Sequence, residues 1–129
     1  MIRRTFVCYL AILFSLSSAG CNLLKPGPAK TVQVFYEHVE RGEIQDAINC
    51  LSSEVTSSFG ADKVRTMLIA ETDKIKRKGG IDSFEVKKEE ITGEIADVSI
   101  VFKYKDGSTE SQNARLIKEN DEWRIDVKK

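Results

Sequence analysis

The chain has 129 residues, 41% hydrophobic and 31% charged, with 20 Lys and Arg against 20 Asp and Glu. That suits one small domain with a core, and it excludes both an intrinsically disordered chain and a basic nucleic-acid-binding surface. The three cysteines are Cys8, Cys21 and Cys50, too few for a disulfide framework once Cys8 is assigned to a segment that is removed.

Residues 1–20 read as an export signal. Arg3 and Arg4 precede the apolar run 6–16. As a helix that run is too short to cross about 30 Å of hydrocarbon, but its length fits the core of a signal peptide. Ser17-Ser18-Ala19-Gly20 then supplies small residues for a peptidase.

Ser18-Ala19-Gly20-Cys21 resembles the lipobox of bacterial lipoproteins, although Ser18 stands where that motif usually has leucine. The resemblance implies cleavage before Cys21, acylation of its sulfur and a palmitate-type anchor in the cell membrane or outer membrane. Each buried methylene adds about 0.8 kcal/mol, so several chains on one residue hold firmly. Ordinary secretion, with Cys21 left as a free thiol, is the rival. Residues 21–28 are then the lipidated cysteine and a tether built around Lys25-Pro26-Gly27-Pro28, where proline and glycine favour extended backbone. About eight residues at roughly 3.3 Å each reach no more than about 26 Å.

Residues 29–129 form the expected domain, and its first half has helical periodicity. Val32, Phe35, Tyr36 and Val39 share one face until Gly42 interrupts, and a second helix from Glu43 turns Ile44, Ala47, Ile48 and Leu51 inward. Residues 52–59 read as a polar connection able to hold a short strand. A third helix carries Ala61, Val64, Met67, Leu68 and Ile75 inward and stops at Gly79-Gly80, with Lys74, Lys76, Arg77 and Lys78 suited to the helix dipole.

From Ile81 the period changes to two. Phe84 and Val86, then Ala96 to Tyr104, then Ala114 and Leu116, then Trp123, Ile125 and Val127 mark four strands. Turn lengths follow from the faces, because a one-residue slip sends an apolar side to water. A three-residue loop 92–94 sets Val86 opposite Ile100 and Phe84 opposite Phe102. A three-residue loop 105–107 gives Gly107 the left-handed place, and a two-residue loop at Asn120-Asp121 sets Leu116 opposite Ile125. The result is an α+β class, three amino-terminal helices packed on a curved four-stranded antiparallel meander.

That plan, the segment "PAKTVQVFYEHVERGEIQDAINCLSSEV" and the closing Glu122-Trp123-Arg124-Ile125 resemble a bacterial lipoprotein family of unknown function. It lies within the nuclear-transport-factor-2-like (cystatin-like cone) superfamily. The resemblance implies a cone-shaped fold and leaves activity open, since that superfamily hosts enzymes, ligand binders and interaction domains.

In isomerase- or dehydratase-like relatives, acids or histidines point into the cone. Here Asp97 and Asp126 take the outward phase, and the inward set is apolar, with only Tyr104 and Trp123 bringing polar atoms. No catalytic residue is therefore assigned. Glu110 and Gln112 share the inward phase near a loop and read as rim residues. Tyr36, Phe102, Tyr104 and Trp123 are the candidate pocket residues. His38 lacks partners at ligand spacing and Cys50 reads as a small buried hydrophobe, so no metal and no cofactor are expected. The Lys74–Lys78 cluster reads as a solvated helix end, with contact to anionic lipid as the sharper alternative.

The expectation is a non-enzymatic envelope lipoprotein. It meets the membrane through its anchor and offers a surface to an envelope protein or a small apolar ligand, with no role for nucleic acid and the oligomeric state left open. A small enzyme using the cone as its active site, or a secreted soluble domain, are the alternatives.

Overall fold

The computed structural model describes residues 25–127; the signal-peptide and Cys21 assignments lie outside them. Helix α1 spans Pro28–Arg41, opening with proline at its first position, where the missing N–H costs nothing. It ends at Gly42, whose φ of 73° lets the Gly42 and Glu43 amides turn back onto the Val39 and His38 carbonyls. Helix α2 spans Ile44–Asn49, α3 Ser53–Phe59 and α4 Ala61–Arg77.

The helices thus number four rather than three. The segment 52–59, expected as a polar connection with a short strand, folds instead as α3. Ser52 caps it, with its Oγ accepting from the Val55 amide, and Glu54 stands in the first turn. The strand-like part lies just before: Leu51 bridges Ile125 in parallel, the Ser52 amide donates to the Ile125 carbonyl at 2.7 Å and the Ile125 amide to the Cys50 carbonyl at 2.8 Å.

Strands β1 (Ile81–Thr92), β2 (Ile95–Tyr104), β3 (Thr109–Glu119) and β4 (Glu122–Asp126) form one antiparallel sheet in that order. Two turns are as expected. Asn120 and Asp121 both take positive φ in a two-residue loop, and Gly107 at φ 89° closes the loop 105–107, so Ile100 faces Gln112. The first hairpin differs. Thr92 pairs Ile95 across a two-residue Gly93-Glu94 turn, and a bulge at Lys87 restores the expected pairs Val86–Ile100 and Phe84–Phe102.

The helices cover one face, α1 packs against β1, β2 and β4, and Val98, Ile100, Phe102, Tyr104 and Leu116 on that face are each 2% exposed or less. Four residues expected inward are exposed. Ala61 opens α4, Met67 (57% exposed) faces solvent on the same helix, Val86 (42%) lies on the edge strand β1, and Val127 follows the last strand. On the sheet the apolar phase runs past the area that the helices cover, and on α4 only Val64, Leu68, Thr72 and Ile75 are buried.

Candidate functional site

The four pocket candidates do not form one site. Tyr36 of α1 meets Phe102 of β2 edge to face, with ring centroids 4.4 Å apart, and Phe102 also packs on Phe84 at 5.4 Å and Tyr104 at 6.3 Å. Phe35 adds a T-shaped contact to Tyr36 at 5.0 Å. These rings pack between α1 and the sheet, with an open hollow of about 220 Å³ beside Tyr36 and Phe84 at the Glu40 end. Trp123 stands apart. On β4 it pairs with Lys118 of β3, next to the Glu94 turn, while Tyr104 ends β2 at the other end of the sheet.

Beside the aromatic fill lies a polar cluster drawn from α4, β2 and β3. The Tyr104 hydroxyl donates to Glu110 at 3.0 Å, Lys74 Nζ reaches both Glu110 oxygens at 3.2 Å, and Gln112 donates at 2.6 Å. Lys74 also pairs Glu71 at 2.7 Å. Burial pushes the Glu110 carboxyl up, but the hydrogen bonds from Gln112, Tyr104 and Lys74 outweigh it and hold the group below the usual carboxylate range. Burial, followed by the nearby Glu71 and Glu110 charges, raises the Tyr36 phenol. Burial and the bond to Glu110 raise the Tyr104 phenol. Burial alone would lower the Lys74 ammonium, yet Glu71 and Glu110 raise it. Every shift moves a group away from neutrality, the opposite of what proton transfer near pH 7 requires. Glu110 and Gln112, expected at the rim, meet Lys74 of α4, which the sequence presents only as part of a solvated helix end, and Glu71 joins through Lys74; only the fold brings α4 to β3.

A pH dependence follows. The Glu110 pKa is lower folded than unfolded, so its stabilisation is complete above the unfolded value near 4.3 and is lost as pH falls through the depressed one. Glu110→Gln should cost about 1–2 kcal/mol at pH 7, the small side of the range for charge-assisted bonds because the site is partly open. Thermal melts from roughly pH 2 to 7 should show a shallower acid decline in the variant; parallel declines would refute this role.

Among the described residues His38, Glu43 and Asp46 hold donor atoms within 4.8 Å of one another. His38 Nδ1 lies 3.0 Å from Glu43 Oε2, while Arg41 Nη1 stands 3.6 Å from Glu43 Oε1. With the Glu43 amide on the His38 carbonyl, this group joins α1 to α2. Cys50 is buried as expected; burial pushes its thiol up, and its Sγ donates to the Asp46 carbonyl at 3.5 Å. A raised thiol is a poor nucleophile.

At the Trp123 end a groove of about 240 Å³ is walled by Pro26, Val34, Cys50 and the indole, with Arg124 and Glu122 at its lip. A second hollow, of about 280 Å³, shares Lys25, Pro26 and Trp123 with it. Lys118 Nζ stands 5.3 Å from the Trp123 ring centroid, and Lys25 reaches Asp121 at 3.9 Å. The first groove, assembled from α1, Cys50 just after α2, and β4, is the open apolar site that the candidate Trp123 belongs to.

Solved structures share this architecture. A candidate NTF2-like transpeptidase from Campylobacter jejuni aligns over 80% of this chain and 100% of its own, with a TM-score of 0.69 at 18% identity. A de novo designed NTF2-fold protein aligns over 80% of this chain and 86% of its own, at TM-score 0.55 and 16% identity. A SEC-C motif-containing protein from Rhodopseudomonas palustris gives 0.55 at 12% identity, covering 79% of each chain. At these identities the likeness concerns the fold alone. No curated protein matches the chain. The sequence profile described as Domain of unknown function (DUF4878) matches residues 18–126, and the chain therefore belongs to that family, on an NTF2-like fold.

Proposed function

We propose that the protein is an envelope lipoprotein, anchored through acylated Cys21, whose NTF2-like domain binds and does not catalyse. The observation that carries the binding half is the filled cone. Tyr36, Phe84, Phe102 and Tyr104 pack against one another between α1 and the sheet, and the adjacent ionisable groups hold one another far from neutral pKa values. The open apolar surface lies instead beside Trp123, fitted to a small apolar ligand or a protein side chain.

The anchoring half rests on the signal-like segment and its lipobox. An anchor at Cys21 would hold the amino-terminal end of α1, which starts at Pro28, to the bilayer about seven residues or at most roughly 23 Å away. Lys76, Arg77 and Lys78 would then lie at the far end, since Glu40 near the end of α1 accepts from the Ile81 amide just after that cluster. Fourteen helical residues, or about 21 Å of rise, separate the two ends. This placement favours the helix-end reading of the cluster over lipid contact.

Intact-mass analysis of the membrane fraction tests the anchor. The wild type should start at Cys21 and carry acyl mass, and Cys21→Ala should lose that mass. A mature chain starting at Asn22, or an unmodified Cys21, would overturn the reading.

A further inference from the structure

Gly42 folds α2 back beside α1, and the fold brings His38 of the last turn of α1 to Glu43 just before α2 and Asp46 in its first turn. One donor atom of each lies within 4.8 Å of the other two. Two carboxylates at that spacing repel, the more so near a protein surface, where water screens less. Glu43 holds the cap position of α2, yet its carboxylate makes no capping hydrogen bond and turns to His38 instead. Arg41 answers part of the charge, but through the other oxygen: its Nη1 stands 3.6 Å from Glu43 Oε1, while Oε2 meets His38 Nδ1 at 3.0 Å. Asp46 is exposed and, among the described residues, makes no ion pair.

We propose that these three side chains form a site for a divalent cation of the zinc type, held at the α1–α2 junction by one imidazole nitrogen and two carboxylate oxygens. Such ions accept a mixed imidazole and carboxylate set, whereas Mg²⁺ and Ca²⁺ favour oxygen ligands alone. Ligands about 2.0–2.2 Å from a tetrahedral zinc stand roughly 3.4 Å from one another. The 3.0 Å between His38 and Glu43 is already close to that, and the exposed Asp46 side chain has rotamers with which to close the rest. Three protein ligands leave a fourth position to water or to a donor from outside, the arrangement of an open zinc site. The cation would take the place of the His38–Glu43 hydrogen bond, neutralise both carboxylates and fasten α2 to α1. None of the three residues lines the Trp123 groove, so this site is tested separately from the groove and from the anchor.

His38 is the only histidine in the chain, so in a protein free of any histidine tag the imidazole NMR signals report this site alone. The full-length protein in detergent is titrated with zinc chloride, followed by those signals and by calorimetry. One equivalent of Zn²⁺ should shift or broaden the His38 signals, and millimolar Mg²⁺ should leave them in place. The calorimetric affinity should fall about tenfold or more in His38→Gln and in Asp46→Asn. Glutamine keeps a hydrogen-bond donor for Glu43, and Asp46 is exposed, so both variants should retain the wild-type circular dichroism spectrum. His38 signals unmoved at one equivalent of Zn²⁺ would overturn the proposal. So would an unchanged affinity in Asp46→Asn, which would mark the zinc as bound adventitiously elsewhere.

Discussion

Ile100→Asp should leave the chain without a cooperative unfolding transition. Ile100 is 1% exposed at the centre of β2, with Val86 and Gln112 as its cross-strand neighbours and helix α1 above it. A carboxylate there would lose its hydration with no cation to meet it, at an effective cost of several kcal/mol, and the lost isoleucine packing adds about 2–5 kcal/mol. Together these rival the whole stability of a domain this size, about 5–15 kcal/mol. Lys103→Asp is the matched control: the same strand, three residues on, on the exposed face between Ser83 and Thr109. It should change stability by no more than about 0.5 kcal/mol. Circular dichroism melts of both variants decide the matter, and equal behaviour would refute the assignment of faces.

That face was legible because β2 alternates from Ala96 to Tyr104 with Val101 as the one apolar residue in the outward phase, and the turn residues admitted only certain loop lengths. Asn120-Asp121 and Gly107 each supply the positive φ that their loops require, so the register followed from local chemistry. The bulge at Lys87 was not legible. It lies within Lys87-Lys88-Glu89-Glu90, where every side chain is charged and no apolar phase reveals which residue is extra. The bulge turns Glu89 toward the helices, and its carboxylate accepts from the Ala29 amide in the first turn of α1 at 3.2 Å.

The aromatic fill and the Trp123 groove show a second limit of the same kind. Tyr36, Phe102, Tyr104 and Trp123 all carry core phase, and phase says which face a residue takes but not how far along the sheet it stands. Phe102 and Tyr104 lie at one end of β2; Trp123 on β4 lies beside the other, next to Lys118, whose amide donates to the Glu94 carbonyl. The groove draws on residues 26, 31, 34, 50 and 123, brought together only by the fold. The Glu110 cluster is similar: Tyr104 and Glu110 face each other through a hairpin that could be counted out, but Lys74 arrives from a helix whose approach no spacing gives.

Helix α3 was missed for a different reason. Its seven residues, SEVTSSF, are mostly Ser and Thr, which hydrogen-bond their own backbone and disfavour helix interiors, and only Val55 is buried. Such a helix is held by its ends, and this places unusual weight on Ser52. The residue is fully buried; its Oγ donates to Asp126 Oδ1 at 2.7 Å and accepts from the Val55 amide at 3.3 Å, and its own amide pairs with Ile125. One hydroxyl therefore caps α3 and fastens it to the closing strand.

Ser52→Ala should accordingly cost about 2–3 kcal/mol: roughly 1 for the lost cap, and 1–2 for the bond to a carboxylate and the amide left without a partner. For about 100 ordered residues that lowers the thermal midpoint by roughly 8–20 °C. Ser53→Ala, one position on and exposed, removes only the hydroxyl contact to Glu119 at 3.2 Å and should shift the midpoint by a few degrees at most, since the Ser53 amide still donates to that carboxylate at 2.9 Å. Asp126→Ala in the Ser52→Ala background separates the two roles. If the Ser52 hydroxyl acts through Asp126, the second substitution adds little to the first; full additivity would mean that the cap alone carries the effect. A small shift in Ser52→Ala itself would show that β4 and α3 are held by packing, with the buried hydroxyl merely accommodated.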